Sequence, residues 1–191
     1  SSKVLDNMDI IIGPLYANHF SILCKMYGND NTKILISPLS KNTENVKNYK
    51  AVYQLSPSFQ IQTNIIKDHV LKHHENERVI VLNETKHEGR AAYIKNLFSQ
   101  DEKTVETFTI ESTRVDAIRN LFKEKQVVIV PSENQAFVSK LLASIGRMDS
   151  VSLVFGLYDW KKYDNLDTDN LISLDVKFPD AYSFSNASAH D

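Results

Sequence analysis

The sequence predicts an α/β fold in which parallel sheets are covered by helices, and two observations carry this prediction. Short runs of Ile, Val and Leu, each the length of a strand, recur along the chain and stop near residues that turn it. Segments with apolar residues at helical spacing fill most of the intervals. Continuous apolar runs are typical of strands buried on both faces, which occur in parallel sheets. Their alternation with helices predicts three-layer, doubly wound sheets.

Seven apolar runs predict the buried strands. Proline or glycine follows six of them within two residues, and Asn83, also a turn former, follows the seventh. An eighth, more exposed strand is indicated at residues 104–110, where Val and Thr alternate with other residues. The seven runs are residues 10–12, 34–36, 52–55, 79–82, 127–130, 151–155 and 174–178.

Five segments with helical periodicity predict the covering helices. The second follows Pro57, which suits the first helical position, with Ser56 as its cap. The fifth opens with the capping box Ser132-x-x-Gln135. We also expect a helix over residues 1–8, a polar surface segment over 39–50 and a fraying tail over 183–191. The apolar positions of the five helices are Tyr16, Phe20, Leu23 and Tyr27; Ile61, Ile65, Ile66 and Val70; Ala91, Ile94 and Phe98; Val115, Ile118 and Phe122; and Val138, Leu141, Leu142 and Ile145.

Composition and charge narrow the classes of function. The 191 residues carry 22 Lys and Arg against 24 Asp and Glu, for a formal net charge of −2. This balance argues against nucleic acid as a partner, because no net positive field is present to displace counterions from phosphates. The single cysteine, Cys24, excludes an intrachain disulfide and a zinc site built from several cysteines. No apolar run approaches the roughly 18 residues of a membrane span.

The turns that follow the strands carry a resemblance to a known family. Asp9-Ile-Ile-Ile-Gly-Pro-Leu, Ile34-Leu-Ile-Ser-Pro-Leu-Ser and Val52-Tyr-Gln-Leu-Ser-Pro-Ser resemble three successive signatures of the type I periplasmic-binding-protein fold. The segments that begin at Arg78, Val127, Val154 and Leu174 resemble its second lobe and the strand that crosses back. The resemblance covers nearly the whole chain. It is nearest to the envelope branch, which includes proteins with LysM modules and lipoprotein activators of penicillin-binding proteins.

The resemblance implies two α/β lobes with a ligand held in the cleft between them. It divides the chain into a partial first lobe (residues 1–57), most of the second lobe (58–171), and a crossover strand with the tail (172–191). The opening strands and closing helices of lobe 1 are expected to lie outside the sequence. It also implies a location in the periplasm or cell envelope and no enzymatic activity.

Candidate ligand-binding residues follow the strands, because doubly wound sheets bind ligands at the carboxyl ends of their strands. The helix N-termini after Pro14, Pro57 and Ser132 also offer backbone N–H groups to an anion. The candidates are Tyr16, Ala17, Ser40, Lys41, Glu84, Glu88, Ser132, Tyr158, Asp159 and Trp160.

The resemblance to amino-acid-binding members of the family makes a sharper expectation. The two positions that hold the ligand carboxylate in those proteins match Ala17 and Lys41, and neither has the expected hydroxyl. The aromatic lid falls near Glu88, and the acidic residue that takes the ammonium falls near Tyr158. These departures predict no tight binding of free amino acids. Shifts of one residue, to Ser40 and Asp159, restore part of the pattern.

Catalytic and metal-binding patterns are weak. The chain lacks the nucleophile-elbow, P-loop and dinucleotide-binding glycine motifs, so we predict neither catalysis nor a cofactor. Cys24 is interpreted as a packed thiol rather than a nucleophile. His69 and His73, at i and i+4, suit either zinc or the C-terminal turn of a helix, and the second interpretation is preferred. His87, beside Glu88, lies in a loop, either solvated or in contact with a ligand.

Two hypotheses of function remain. The first is a ligand-binding or sensing domain that closes around a small polar solute, with a membrane permease as a partner. The second is an interaction scaffold without a small-molecule ligand, with a cell-wall synthesis protein as its partner. A homodimer through lobe 1 fits either. Convergent polar side chains around a cavity favour the first hypothesis, and a cleft filled by Leu39, Tyr158 and Trp160 favours the second.

Overall fold

A computed structural model describes residues 3–111, 118, 121–122, 125–146, 148 and 150–180 of the chain. The chain divides into two compact units, residues 1–61 and 62–191, each described by itself below. Each unit contains one parallel sheet with helices, which confirms the predicted α/β class.

The first unit contains a three-stranded parallel sheet of order β1-β2-β3. Its helix α2 covers one face: Phe20, Leu23 and Cys24 pack there with Leu35 and Val52. The other face stays exposed, so burial on both faces, as predicted for these strands, is wrong here. The elements are α1 (Lys3–Asp6), β1 (Ile10–Ile12), α2 (Ala17–Tyr27), β2 (Ile34–Ser37), α3 (Glu44–Asn48) and β3 (Val52–Gln54).

A buried lysine holds α1 in the first unit. Lys33 Nζ donates hydrogen bonds to the carbonyl oxygens of Leu5, Asp6 and Met8, at 3.2, 2.8 and 2.9 Å. Tyr27 Oη donates a 2.7 Å bond to Asp6 Oδ1. All three donor positions of the ammonium are therefore used, which makes its burial tolerable.

The second unit contains a five-stranded parallel sheet of order β5-β4-β6-β7-β8. The strands over residues 79–82, 127–130 and 151–155 pair in parallel, as predicted, although β6 begins one residue earlier than expected. The elements are α4 (Phe59–His73, mostly in this unit), β4 (Arg78–Glu84), α5 (Glu88–Ser99), β5 (Val105–Ile110), β6 (Gln126–Ile129), α6 (Gln135–Ile145), β7 (Val151–Phe155), a 3-10 helix (Tyr158–Lys162), α7 (Thr168–Ser173) and β8 (Val176–Lys177).

Burial separates the central strands of this sheet from its edge. Residues 79–82 of β4 and 127–129 of β6 are buried, as their apolar sequences predicted, and the polar residues Asn83, Glu84 and Gln126 are buried as well. In β5, an edge strand, Thr107 and Thr109 are exposed. This pattern confirms the more exposed strand that the alternation of residues 104–110 indicated.

Two helix starts and one strand differ from the prediction. Helix α4 begins at Phe59 rather than Pro57, and Ser58 Oγ accepts a 3.2 Å bond from Ile61 N, so Ser58 rather than Ser56 caps it. Helix α6 begins at Gln135 with Asn134 as its cap, so the predicted capping box at Ser132 is wrong. Strand β8 is confined to Val176–Lys177, because α7 and the turn at Asp175 (φ +44°) occupy the residues before it.

Three other predictions agree with the structure only in part. The predicted surface segment 39–50 contains the short helix α3, and the predicted helix over residues 1–8 has one described turn. Of the stripe in residues 115–122, Ile118 is buried; Val115 and the tail 183–191 lie outside the described residues. Within the described ranges, no helix has both the length and the apolar character needed to cross a membrane.

Candidate functional site

The carboxyl ends of three neighbouring strands meet at one edge of the second sheet. β4, β6 and β7 are adjacent and parallel, so the residues that follow them lie side by side. Glu84 ends β4, Ser132 follows β6, and Trp160 follows β7. This edge therefore brings together three of the residues that the sequence singled out.

A buried carboxylate lies at the centre of this edge. Glu84 is only 3% exposed. Ser132 Oγ donates a 3.1 Å hydrogen bond to its Oε2, and Asn134 Nδ2 donates a 2.8 Å bond to its Oε1. Burial of a carboxylate is unfavourable unless hydrogen bonds replace its water shell. The described contacts supply such a bond to each oxygen.

Asn134 links this carboxylate to helix α6. Its Oδ1 accepts a 3.3 Å bond from Phe137 N, which caps the helix, while its backbone N–H donates to Ser132 Oγ at 3.1 Å. Sequence reasoning missed Asn134 because it assigned the cap to Ser132. Asparagine is among the best N-cap residues, so its own preference was the available signal.

The loop of residues 131–134 is fixed by side chains from α5 and from the 3-10 helix Tyr158–Lys162 with the residue that follows it. The carbonyl oxygens of its first three residues each accept one side-chain hydrogen bond. Two of the three donors are aromatic side chains. These bonds hold the loop backbone in place and occupy one of the two acceptor positions of each carbonyl oxygen. The pairs are Arg90 Nη1 to Pro131 O at 3.0 Å, Trp160 Nε1 to Ser132 O at 2.8 Å, and Tyr163 Oη to Glu133 O at 2.6 Å.

Trp160 is part of the packed interior of this edge. It is 1% exposed, and its ring meets the edge of Phe178 at a centroid distance of 6.2 Å. A Cβ placed on Gly156 would lie 2.3 Å from Trp160 Cε3, so only glycine leaves room for the ring. The sequence placed Trp160 here correctly but did not show that Gly156 provides its space.

The neighbours of Trp160 form the rim of the same edge. Tyr158 N donates a 2.8 Å bond to Gln62 Oε1, and Lys161 Nζ lies 4.9 Å from the Tyr158 ring centroid. Asp159 pairs with Lys162 at 3.3 Å. Burial raises the pKa of Tyr163 to about 12, with a further contribution from the nearby charge of Asp159, so its hydroxyl remains a donor at neutral pH.

Asn83 differs from the other polar residues of β4. Its side chain is fully buried, and neither Oδ1 nor Nδ2 has a hydrogen-bond partner among the described residues. An unpaired buried amide is unfavourable by about 1–3 kcal/mol. Asn83 directly precedes Glu84 in β4, and successive side chains of a strand point to opposite faces, so the amide and the bonded carboxylate belong to opposite faces of the sheet.

The remaining candidates are described within their own units. In the first unit, Tyr16 is 74% exposed, and Ala17 begins α2. A depression of about 350 Å³ is lined by residues 16–19. Ser40 Oγ accepts a 3.1 Å bond from Asn42 N within its own loop, and Lys41, half-buried, lies next to it. In the second unit, Glu88 is exposed in the first turn of α5.

The sequence raised a cysteine nucleophile and a histidine metal site as alternatives, and the structure shows the surroundings of both. Cys24 is fully buried, and burial raises the pKa of its thiol to about 11, so it is not a reactive thiolate. The His69 ring contacts those of His73 and Phe155, while His74 Nδ1 lies 2.8 Å from Glu77 Oε1. Among the described residues, no group of three or more His, Cys, Asp or Glu has a geometry that could hold a metal ion.

Comparisons with known proteins identify solved structures that share this fold. No protein-family profile matches the chain, and no curated protein sequence does. Full-length LpoA from Haemophilus influenzae superposes with a TM-score of 0.62 at 8% identity, over 93% of this chain and 33% of LpoA. Its C-domain, described as a regulator of PBP1A, gives 0.59 at 8% identity over 93% of this chain and 56% of the domain.

A transport protein shares the same architecture. The branched-chain amino acid transporter substrate-binding protein LivJ from Streptococcus pneumoniae, solved with isoleucine, gives a TM-score of 0.50 at 16% identity. The match covers 93% of this chain and 52% of LivJ. The chain therefore has a periplasmic-binding-protein-like fold, as its turn motifs indicated. It spans a third of full-length LpoA and about half of LivJ.

Proposed function

We propose that this chain is a non-catalytic, extracytoplasmic interaction domain that binds a cell-wall synthesis protein, and that it carries no small solute in its second unit. The observation that carries the proposal is the closed carboxyl edge formed by Glu84, Ser132, Asn134 and Trp160. The likeness to LpoA, described as a regulator of PBP1A, supports the choice of partner.

The hydrogen bonds at the carboxyl edge distinguish the interaction-scaffold hypothesis from the solute-binding hypothesis. A solute site presents a few convergent polar groups to a cavity. Here the Glu84 carboxylate and three loop carbonyls are bonded to side chains of the same unit, and Trp160 fills the space beside them. A solute that displaced Ser132 Oγ or Trp160 Nε1 from these bonds would leave a buried donor without its partner, which is unfavourable.

A fixed surface of this kind suits recognition of a protein. Its rim presents Glu133, which is exposed and pairs with Arg90 at 3.2 Å, and Tyr158 beneath the ammonium of Lys161. Aromatic and charged groups on a rigid backbone bind a partner with little loss of conformational entropy.

Surface plasmon resonance tests the proposal. The immobilised chain is exposed to the purified class A penicillin-binding protein of the same organism, and saturable binding is expected. Glu133→Lys should weaken binding at least about tenfold. Glu75→Lys, at the amino edge of the same sheet, is the matched charge reversal and should leave binding unchanged. Absence of binding, or equal effects of the two variants, would refute the proposal.

A second candidate function, capture of a small polar solute, is favoured by one observation. The Asn83 amide is buried near the carboxyl end of a central strand, where doubly wound sheets bind ligands, and within the part of the chain that the structure describes it has no hydrogen-bond partner. A solute that reached Asn83 would satisfy it. Under this candidate, Asn83→Ala abolishes solute binding and leaves binding of the penicillin-binding protein intact.

A further inference from the structure

Three of the six histidines of the chain lie together at the C-terminal end of helix α4. His69 and His73 are about one turn apart on this helix, and His74 follows directly. The ring centroid of His69 lies 4.7 Å from that of His73 and 5.8 Å from that of His74. We call these three residues the histidine cluster.

The separation of the His69 and His73 rings suits a shared metal ion. A metal–nitrogen bond of about 2.1 Å places the centroid of a bound imidazole about 3.2 Å from the metal. Two imidazoles that bind one ion at an angle of about 90–110° then have centroids about 4.5–5.2 Å apart. The observed separation of 4.7 Å lies within this range. Histidines at i and i+4 of a helix lie on one face, so the backbone already positions both ligands.

One ring of this pair is packed and the other is accessible. His69 is half-buried, and its ring meets that of Phe155 nearly at right angles, at a centroid distance of 5.4 Å. His73 is exposed. Contact with β7 therefore holds the first ligand in place. Solvent reaches the second, so an ion can enter from water and keep water molecules in its remaining coordination positions.

The charges near the histidine cluster allow a cation to bind. The C-terminal end of the 15-residue helix α4 carries the partial negative charge of the helix dipole. Lys177 and Asp175 both act on the His69 ring, but they pair with each other at 3.1 Å. Lys72, in the last turn of α4, is exposed to water, which screens its charge. A position at the end of a helix therefore favours a bound cation.

From these relations we propose that His69 and His73 form a chelating site for a divalent transition-metal ion such as Ni²⁺, Cu²⁺ or Zn²⁺. Imidazole is a preferred ligand of these ions. Because the described residues contain no group of three suitable ligands, the site is an open chelate of two histidines, completed by water. His74 is not a ligand, and its Nδ1 lies 2.8 Å from Glu77 Oε1.

Isothermal titration calorimetry with nickel chloride tests the site. The probe is Ni²⁺ alone, titrated into the purified chain without an affinity tag. We expect one ion per chain with a Kd below about 100 μM, and tighter binding of Cu²⁺ than of Ni²⁺. Mg²⁺ should not bind, because it prefers oxygen ligands. Weaker Ni²⁺ binding than this, or equal binding of Mg²⁺, would overturn the proposal.

Substitutions then locate the ion. His69→Gln and His73→Gln should each weaken Ni²⁺ binding at least about tenfold, because either leaves a single imidazole. His74→Gln is the matched control and should change binding less than about threefold. His73 is exposed, so its variant stays informative if His69→Gln perturbs the fold. Binding that neither ligand variant weakens, or that His74→Gln weakens as strongly, would show an adventitious ion only and refute the chelate.

Electron paramagnetic resonance counts the ligands directly. The complex of the chain with one equivalent of Cu²⁺ should show hyperfine coupling to two imidazole nitrogens, and the His73→Gln variant should show coupling to one. A single coupled imidazole in the unsubstituted chain would contradict the two-histidine site.

Discussion

Ser132 Oγ donates a 3.1 Å hydrogen bond to Glu84 Oε2, although the two residues are 48 positions apart in the sequence. Glu84 ends β4 and Ser132 follows β6, so this bond joins the carboxyl ends of two adjacent strands. Asn134 and Trp160 add bonds on either side. The carboxyl edge of the second sheet is therefore expected to be rigid. The following predictions test the residues that hold it together.

Asn134→Ala should lower the free energy of unfolding by about 2–3 kcal/mol. Loss of the α6 cap accounts for about 1 kcal/mol, and loss of the donor to buried Glu84 accounts for about 1–2 kcal/mol. Asp167→Ala is the matched control, because Asp167 caps α7 in an exposed position, and it should lower the value by only about 1 kcal/mol. Urea denaturation measures both. Equal losses would show that the bond to Glu84 contributes nothing.

Gly156→Ala should destabilise the second unit by about 1–3 kcal/mol, because the added methyl group would overlap the buried Trp160 ring. Gly89→Ala serves as the control. A Cβ there meets nothing within 4 Å, and alanine favours helix α5, so we expect no loss and up to about 1 kcal/mol of gain. Thermal unfolding of the two variants measures the difference. A neutral Gly156→Ala would mean that Trp160 is free to move.

Asn83→Leu should leave the free energy of unfolding unchanged or raise it by about 1–2 kcal/mol. The reason is that leucine removes an amide whose two polar atoms are buried and find no hydrogen-bond partner in the described ranges of the chain. Chemical denaturation of the purified chain measures the change. A loss above about 2 kcal/mol would show that the amide is satisfied in solution, by water or by a bound solute, and would strengthen the second candidate function.

His69 should make stability depend on pH. Burial lowers the pKa of His69 below its ordinary value of 6.5, with a further contribution from Lys177, so the folded state disfavours its charged form. Its contribution is therefore fully present above about pH 6.5 and is lost as the pH falls through the lowered folded value. His69→Gln removes this contribution. Urea titrations at about pH 7.5 and 5.5 should show a smaller drop for the variant than for the unsubstituted chain. Identical drops would contradict the assignment.

The strands could be predicted because a strand that is buried in a sheet requires apolar side chains at most of its positions. The uninterrupted run from Val79 to Leu82 predicted a central strand of the second sheet, and the alternation around Thr107 predicted a more exposed strand, which the structure places at the edge of that sheet. Helix starts were less predictable, because a cap depends on a single local hydrogen bond. Ser132 and Asn134 both have suitable side chains, and the carboxylate of Glu84, far away in sequence, engages them both.

The candidate site was predicted in its position but not in its contacts. The rule that ligands bind at carboxyl ends of strands selected Glu84, Ser132 and Trp160, which the fold does bring together. Nothing local in the sequence indicates that Arg90 reaches Pro131 O, or that Tyr163 reaches Glu133 O. Those contacts decide whether the edge is open or closed, and they depend on tertiary structure.

Isothermal titration calorimetry with free amino acids tests the closed edge most directly. Leucine, isoleucine, valine and glutamate are titrated separately into the longest natural polypeptide that contains this sequence. Tyr158 offers no carboxylate to a ligand ammonium and Glu84 is already bonded within the second unit, so we predict no saturable heat up to about 1 mM ligand. Saturable binding with a Kd below about 1 μM, weakened by Glu84→Gln, would contradict the account.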